Sequence, residues 1–229
     1  AVQRIQAEAE NAVRCGAVHV ILTDKAVGAK RAPIPMILAA GGVHSHLVRE
    51  SLRTFTSLNV RSGECLDVHY FAVLIGVGAT TVNAYLAQET IADRHRRGLF
   101  GNKPLDECVR RYVDAVNAGL LKVMSKMGIS VISPYRGGYK FEAVGLSRTL
   151  VSAFFPGMAS RISGIGLAGI QRLVVRQHGK AYAAGSLALP IGGLYRYRRD
   201  GETHGFQGEP IHILQTACAN DSYGTYKKY

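Results

Sequence analysis

The sequence of 229 residues has no tryptophan and only four cysteines. The cysteines form no Cys-x-x-Cys pair, so the chain has no local zinc or iron–sulfur motif. Their wide spacing predicts reduced, mostly buried thiols in a cytoplasmic protein. No apolar run reaches the roughly 18 residues that a membrane span needs, and we expect no membrane partner. The four cysteines are Cys15, Cys65, Cys108 and Cys218.

Acidic residues are also few, since 16 Asp and Glu face 28 Lys and Arg and give a formal net charge of +12. Such a charge raises the hypothesis of nucleic-acid binding. The basic residues occur in twos and threes, however, with no run of five and no finger or RNP-type motif. We therefore expect no nucleic-acid partner. A basic binding module stays an alternative that rests on charge alone.

Strand and helix patterns alternate along most of the chain. Because the strands are apolar throughout, they indicate a parallel sheet covered by helices. Only about four strands are predicted, and a full β/α-barrel needs eight. The fold class is therefore α/β with a partial barrel. Predicted strands are 19–24, 55–60, 80–84 and 129–132, and predicted helices are 1–14, 33–52, 66–77, 85–97, 104–127, 140–144, 148–154 and 167–177.

The character of the sequence changes at about residue 181. Residues 1–180 are predicted to form the α/β domain, which already begins within a helix and so is expected to be incomplete at its N-terminus. Residues 181–229 are predicted to be a linker followed by the start of a second domain. That region contains a hairpin pattern around an Asp-Gly turn at 195–204 and a helix from Pro210.

Two motifs that suggest cofactors or metals have simpler interpretations. Residues 164–169 match G-x-G-x-x-G but lack a convincing preceding strand and an acidic residue about 20 positions on. His44 and His46 would point about 200° apart on a helix and could not share a metal ion. His69 is interpreted as a core histidine. The sequence therefore predicts no catalytic, cofactor-binding or metal-binding residues.

The segment Ser133–Gly138 is the most suggestive loop. It follows a predicted parallel strand, at the edge where α/β proteins build their sites. It combines Arg136 with the pair Gly137 and Gly138, whose backbone N–H groups could bind an anion. The alternative is a tight turn with Arg136 in a salt bridge.

Several long segments together resemble the large subunit of glutamate synthases, over nearly the whole chain. Residues 1 to about 180 resemble the central domain of that family, and residues from about 185 resemble the lead-in to its FMN-binding barrel. The segments that carry the resemblance are 61–64, 68–72, 83–87, 126–130, 133–138, 141–146 and 155–162.

The resemblance implies a parent enzyme that makes two glutamates from glutamine and 2-oxoglutarate. It implies FMN and a [3Fe–4S] cluster elsewhere in the parent, with NADPH or ferredoxin as electron source. Partners would be the amidotransferase and FMN domains of the same polypeptide and a small NADPH-oxidising subunit. The central domain would be a rudimentary relative of the FMN-binding TIM barrel. Here Glu64 would repel a phosphate and Tyr85 would leave it little room, so we expect no cofactor in this segment.

The resemblance thus favours a connecting domain that spaces the amidotransferase and FMN sites and borders the internal tunnel through which ammonia travels between them. Ser133, Arg136, Gly137 and Gly138 are the residues predicted to face that tunnel or a neighbouring domain. One alternative is a self-standing α/β-barrel enzyme that binds a phosphorylated ligand near Arg136.

Overall fold

The computed structural model describes residues 1–183, 185, 191–194 and 196–229. The chain divides into two compact units, Ala1–Tyr182 and Ala183–Tyr229. The first unit holds the sheet and most of the buried apolar residues. Among the described residues, no helix is both long and apolar enough to cross a membrane.

The first unit alternates strands and helices over its N-terminal half and is helical afterwards. In chain order, its elements are α1 (Val2–Arg14), β1 (His19–Thr23), α2 (Met36–Arg49), a 3-10 turn (Arg53–Phe55), β2 (Ser57–Arg61), α3 (Val68–Gly76), β3 (Thr81–Asn83), α4 (Tyr85–Arg96), α5 (Leu105–Lys126), α6 (Arg148–Phe154) and α7 (Leu167–Tyr182).

The three strands form one parallel sheet in the order β1-β2-β3. His19 pairs with Ser57 at one end of the sheet, and Asn59 pairs with Thr81 further along. The predicted α/β class with parallel strands is therefore confirmed. Because the strands are parallel, the loops after β1, β2 and β3 meet at one edge of the sheet, which we call the carboxyl edge.

The core lies around α2, which is apolar on nearly every side and buries nine of its 14 residues. Val43 and Leu47 of this helix pack with Ala9 and Val13 of α1 and with Leu58 of β2. A larger cluster joins α2 to α3 and α6. A helix enclosed in this way fixes the loops at both of its ends.

The predicted fourth strand at 129–132 is wrong. These residues form no strand, and Val131 and Ile132 are 58% and 42% exposed. The carbonyl of Ile132 accepts from the backbone N–H groups of Tyr135 and Arg136, so the chain turns here. The apolar run resembled a buried strand. After α5, however, which is about 33 Å long, these residues turn and do not pair with the sheet, whose described strands are β1, β2 and β3.

The predicted helix at 140–144 is also wrong, because this segment pairs with a later one. Ala143 donates its backbone N–H to Ala159 at 2.8 Å, and Gly145 donates to Ile162 at 3.0 Å. Two isolated parallel bridges, Glu142 with Ala159 and Leu146 with Ile165, lie in the same segments. The pairing partner is distant in sequence, and local periodicity gives no sign of it.

The second unit contains α8 (Gly208–Ala219) and α9 (Tyr223–Tyr226), of which α8 begins near the predicted start at Pro210. The predicted hairpin is wrong: the described part of 191–204 has a turn with Asp200 at φ 59° but no strand. Tyr195 and residues 184 and 186 of the predicted linker lie outside the described residues.

The cysteines divide evenly between buried and exposed positions. Cys65 and Cys108 are buried, and Cys15 and Cys218 are exposed. The prediction of mostly buried thiols is therefore wrong for two of the four. Cys15 lies just after the last residue of α1 and Cys218 in the last turn of α8, and neither helix end is covered.

Candidate functional site

The carboxyl edge of the sheet is held together by the carboxylate of Asp24, the residue after β1. Its Oδ2 accepts from the Ser62 hydroxyl at 2.7 Å and from the Gly63 backbone N–H at 3.0 Å. A hydroxyl and a backbone N–H in a turn after a parallel strand are the donors that bind phosphate in many α/β proteins. Here a side chain of the same chain occupies them.

Glu64 is a second carboxylate that is satisfied internally. One of its oxygens accepts from the Met36 backbone N–H at 2.8 Å, and the Tyr70 hydroxyl donates to the same oxygen. Burial and the Glu64 carboxylate together raise the pKa of the Tyr70 hydroxyl far above its usual value. Glu64 therefore joins the start of α2 to α3 and leaves a negative charge beside the loop after β2.

Tyr85, the first residue of α4, covers the loop after β2. A Cβ on Gly63 would lie 3.2 Å from the Tyr85 hydroxyl, so the ring rests against this turn. Arg61 and Lys25 lie over the ring, with charged groups 5.5 and 5.8 Å from its centroid. Burial and the nearby Asp24 raise the pKa of the Tyr85 hydroxyl.

Cys65 lies next to these groups but is not poised for chemistry. Burial, Asp24 and Glu64 raise the pKa of its thiol to about 12, so it is protonated at neutral pH. Since the thiolate is the reactive form, this cysteine is a packing residue. The carboxyl edge is thus filled by its own carboxylates, an aromatic ring and an inert thiol.

The segment 133–138 lies at the opposite edge of the sheet, contrary to the prediction. Gly137 donates its backbone N–H to the carbonyl of Ile75, and Tyr139 donates to that of Gly76, both at 3.1 Å. The segment therefore caps the C-terminal end of α3, which leads to the start of β3. The predicted location is wrong because it assumed a strand at 129–132, and these residues form none.

The backbone N–H groups of this segment are not free for an anion. Those of Arg136, Gly137 and Gly138 donate to Ile132, Ile75 and Tyr135 at 3.1 Å each. These contacts therefore do not support an anion on free backbone N–H groups, and they fit the alternative of a tight turn. Of the predicted side chains, Ser133 is exposed and Arg136 is half-buried.

The position of Gly137 is set by His44 of α2, which sequence reasoning did not connect to this segment. A Cβ on Gly137 would lie 2.9 Å from Nε2 of His44, and its φ of +69° also favours glycine. On the other side of the ring, a Cβ on Gly78 would overlap the imidazole. His44 is therefore wedged between two glycines that are 59 positions apart in the printed sequence.

Arg53 also contacts the imidazole, through a hydrogen bond to the ring. Its Nε donates to Nδ1 of His44 at 3.0 Å, and its terminal nitrogens donate to Thr56, Gly78 and Thr80. Burial, and then the charges of Arg53 and Arg136, lower the pKa of His44 to about 4. The ring is thus neutral at physiological pH, and because Nδ1 accepts, the proton is on Nε2.

His46 points to a different group of residues, as the predicted helical geometry requires. Its Nε2 lies 2.7 Å from Oε2 of Glu10. Side-chain ligand atoms of Glu10, His46 and Glu50 lie within 4.8 Å of one another, and Arg14 contacts both carboxylates. Sequence reasoning missed this group because it depends on how α1 packs against α2. Arg14 already supplies the positive charge that the carboxylates need.

The remaining motifs have structural explanations. A Cβ on Gly164 would overlap the backbone of Gly145, so the glycines of 164–169 permit two chain segments to approach closely. Ile165 donates its backbone N–H to Gly145 at 2.9 Å and holds this approach. His69 is exposed on α3, with its ring edge-on to Phe141, so the prediction of a core position is wrong.

Comparison with known families gives one decisive match. The family model described as glutamate synthase central domain matches residues 1–147. The chain belongs to the glutamate synthase central domain family. The matched residues include the carboxyl edge, the His44 wedge and the segment 133–138, so both regions described above lie within the family domain.

Known glutamate synthases match this central domain and the residues after it over most or all of the chain. It is 66% identical over 229 residues to the large chain of the NADPH glutamate synthase of Azospirillum brasilense, covering 100% of this chain and 15% of that protein. It is 41% identical over 223 residues to that of Bacillus subtilis (strain 168), covering 97% and 15%. It is 37% identical over 220 residues to ferredoxin-dependent glutamate synthase 2 of Synechocystis, covering 90% and 14%.

Proposed function

We propose that this chain is a connecting domain of a glutamate synthase, which holds an amidotransferase site and an FMN site of one polypeptide at a fixed separation. The observation that supports it most is the closed carboxyl edge: Asp24 uses the donors of Ser62 and Gly63 that a phosphate would need. A domain that fills its own ligand position is suited to a structural role. The chain spans about 15% of the length of the relatives it matches, so the chemistry would lie elsewhere.

The proposal includes the architecture and the partners. The order β2–α3–β3 with a covered carboxyl edge fits a partial, rudimentary relative of an FMN-binding barrel. The boundary near residue 181 would separate this domain from the start of the FMN domain. The parent would bind FMN and a [3Fe–4S] cluster and convert glutamine and 2-oxoglutarate to two glutamates in the cytoplasm. Electrons would come from NADPH, through a small subunit, or from ferredoxin.

The competing hypotheses are not favoured. An enzyme that binds a phosphorylated ligand near Arg136 would use the backbone N–H groups of 136–138, which cap α3. A nucleic-acid module would rest on charge alone, while the similarity to glutamate synthases covers the entire chain.

An absorbance scan of the purified chain between 300 and 500 nm, with and without added FMN, tests the absence of a cofactor. We expect no flavin bands and no FMN binding. Stoichiometric flavin would mean that the loops after β2 and β3 open to admit a phosphate, and would replace the structural role with a catalytic one.

The tunnel function is tested in the parent polypeptide with Ser133→Trp, which adds bulk at an exposed position of the segment 133–138. We propose that this segment borders the ammonia path, so the variant should release free ammonia and yield fewer than two glutamates per glutamine. Glutamine hydrolysis itself should persist. Ser125→Trp, at an exposed position of α5, is the matched control and should stay coupled. If both variants still form two glutamates per glutamine, the segment 133–138 does not border the ammonia path.

A further inference from the structure

Arg53 bonds to the His44 ring, and Arg136 directly precedes Gly137, which contacts the same ring. Across residues 1–183, 185, 191–194 and 196–229, no carboxylate lies within 4.0 Å of either guanidinium. The two side chains are half-buried, and burial together with the charge of Arg136 lowers the pKa of Arg53. A charge removed from water is costly unless an opposite charge compensates it.

The two arginine side chains at this site carry only hydrogen-bond donors. Arg53 uses four of its five N–H donors on neutral acceptors, which fixes its orientation and leaves one on Nη1. His44 carries its proton on Nε2, next to Gly137. The Thr80 hydroxyl accepts from Arg53, and the hydroxyls of Ser45 and Tyr139 bond to each other at 2.9 Å. Arg136 makes no side-chain hydrogen bond within the described residues, and its planar fork matches a carboxylate.

The surface beside Arg136 has the composition of a protein contact. Val131 is 58% exposed, and Ile132, whose carbonyl accepts the backbone N–H of Arg136, is 42% exposed. Met127 at the end of α5 is likewise exposed. Exposed apolar side chains around an arginine are typical of interfaces between proteins or domains, where arginine often carries much of the binding energy.

We propose that Arg136, supported by Arg53 and His44, receives an Asp or Glu side chain from another domain of the parent polypeptide, with Val131 and Ile132 packing around the contact. The proposal rests on the proposed function only in requiring a parent chain. A protein carboxylate fits better than a free anion because the site is flanked by exposed apolar residues and its backbone N–H groups are already bonded. Arg53 acts by holding His44 and the segment in place.

Hydrogen exchange in the parent polypeptide tests the contact. The backbone N–H groups of Val131, Ile132 and Ser133 donate to no described residue, so any protection there would come from outside the described residues. We expect slow exchange in the parent, accelerated about tenfold or more by Arg136→Glu and less by Arg136→Lys. Lys122→Glu, an equal charge change at an exposed position of α5, should leave it unchanged. Fast exchange of these groups in the unmodified parent would overturn the proposal.

A photo-crosslinking amino acid at Val131 of the parent gives a second measurement that does not depend on Arg136. The expected product joins this position to a segment outside the printed sequence that contains Asp or Glu. A crosslink to a segment without an acidic residue, or no crosslink, would overturn the proposal. Neither measurement depends on how much ammonia the parent releases. The proposed contact can therefore be supported while the tunnel function is refuted, and the tunnel function can be supported while the contact is refuted.

Discussion

The imidazole of His44 lies so close to Gly78 that a Cβ on this glycine would overlap the ring. Gly78 has a φ of +119°, a backbone conformation that other residues rarely adopt. The residue thus meets two requirements at once, the turn after α3 and space for a side chain of α2. Through this contact α2, the start of β3 and the segment 133–138 are positioned together.

Gly78→Ala should destabilise the chain by about 3 kcal/mol, because it adds strain at a positive φ and displaces His44. Urea denaturation measures the free energy of unfolding. Gly16→Ala is the matched control, since Gly16 has a φ of +91° but no atom within 4 Å of its Cβ position. It should cost about 1 kcal/mol from the backbone alone. Equal losses of unfolding free energy in the two variants would contradict the close contact between Gly78 and His44.

The stability of the chain should depend on pH through His44. Its pKa is about 4 in the folded state against 6.5 as the ordinary value, so the unfolded state binds more protons between these limits. Stability should therefore fall by about 2 kcal/mol as the pH falls from 6.5 to 4, and His44 should contribute no further loss below that. The lowered pKa of Glu10 adds a loss of the same sign at the acidic end.

His44→Asn removes the titrating group while keeping an oxygen that can accept from Arg53. The variant should show a flatter dependence of unfolding free energy between pH 6.5 and 4, measured by urea denaturation at several pH values. A slope identical to that of the unmodified chain would mean that His44 has the same pKa in the folded and unfolded states.

Tyr135→Phe should leave the free energy of unfolding unchanged or raise it by about 1 kcal/mol. The Tyr135 hydroxyl is buried without a partner in the described residues, and a lone buried hydroxyl loses its hydration for no gain. Tyr139→Phe is the comparison, since it loses the hydrogen bond to Ser45 and should cost about 1 kcal/mol. Thermal unfolding of both variants provides the measurement. A clear loss in Tyr135→Phe would indicate a bound water at this hydroxyl.

Asp24→Asn should destabilise the chain by about 2 kcal/mol, because two charge-assisted hydrogen bonds become neutral ones. It should also lower the pKa of the Cys65 thiol, which Asp24 helps to raise. Unfolding free energies and the rate of thiol modification against pH test the two effects. Asp114→Asn, at an exposed position of α5, should change neither. An unchanged stability in Asp24→Asn would mean that the turn holds without the carboxylate.

The sequence predicted well wherever the pattern was local. The three strands and the long helix α5 follow from apolar runs and from spacing of three and four, and these elements form near the predicted bounds. The helix starts at Asp67 and Ser147 are fixed by side-chain caps, which again are local. Sequence patterns within about 20 residues were therefore sufficient to predict most of the sheet region.

Errors occurred where partners distant in sequence decide the conformation. Residues 129–132 have a strand composition, but they pair with no strand among the described residues. Residues 140–144 bond to a segment about 17 positions later, and the role of Gly137 depends on His44, 93 positions earlier. At the carboxyl edge, Glu64 and Tyr85 were identified as unfavourable for phosphate, but Asp24 was not, because its contact with Ser62 exists only after β1 and β2 pair.

The bond between Asp24 and the turn after β2 shows how a carboxylate of the chain itself can occupy donors that could otherwise bind an anion. Because this carboxylate belongs to the chain, the turn keeps its shape without any ligand. A phosphate site could be engineered on this scaffold without changing the backbone. The side chains at 24 and 85 would be shortened, and the negative charge at 64 would be removed. Among relatives, an acidic residue after the first strand would mark domains in which this turn is closed in the same way.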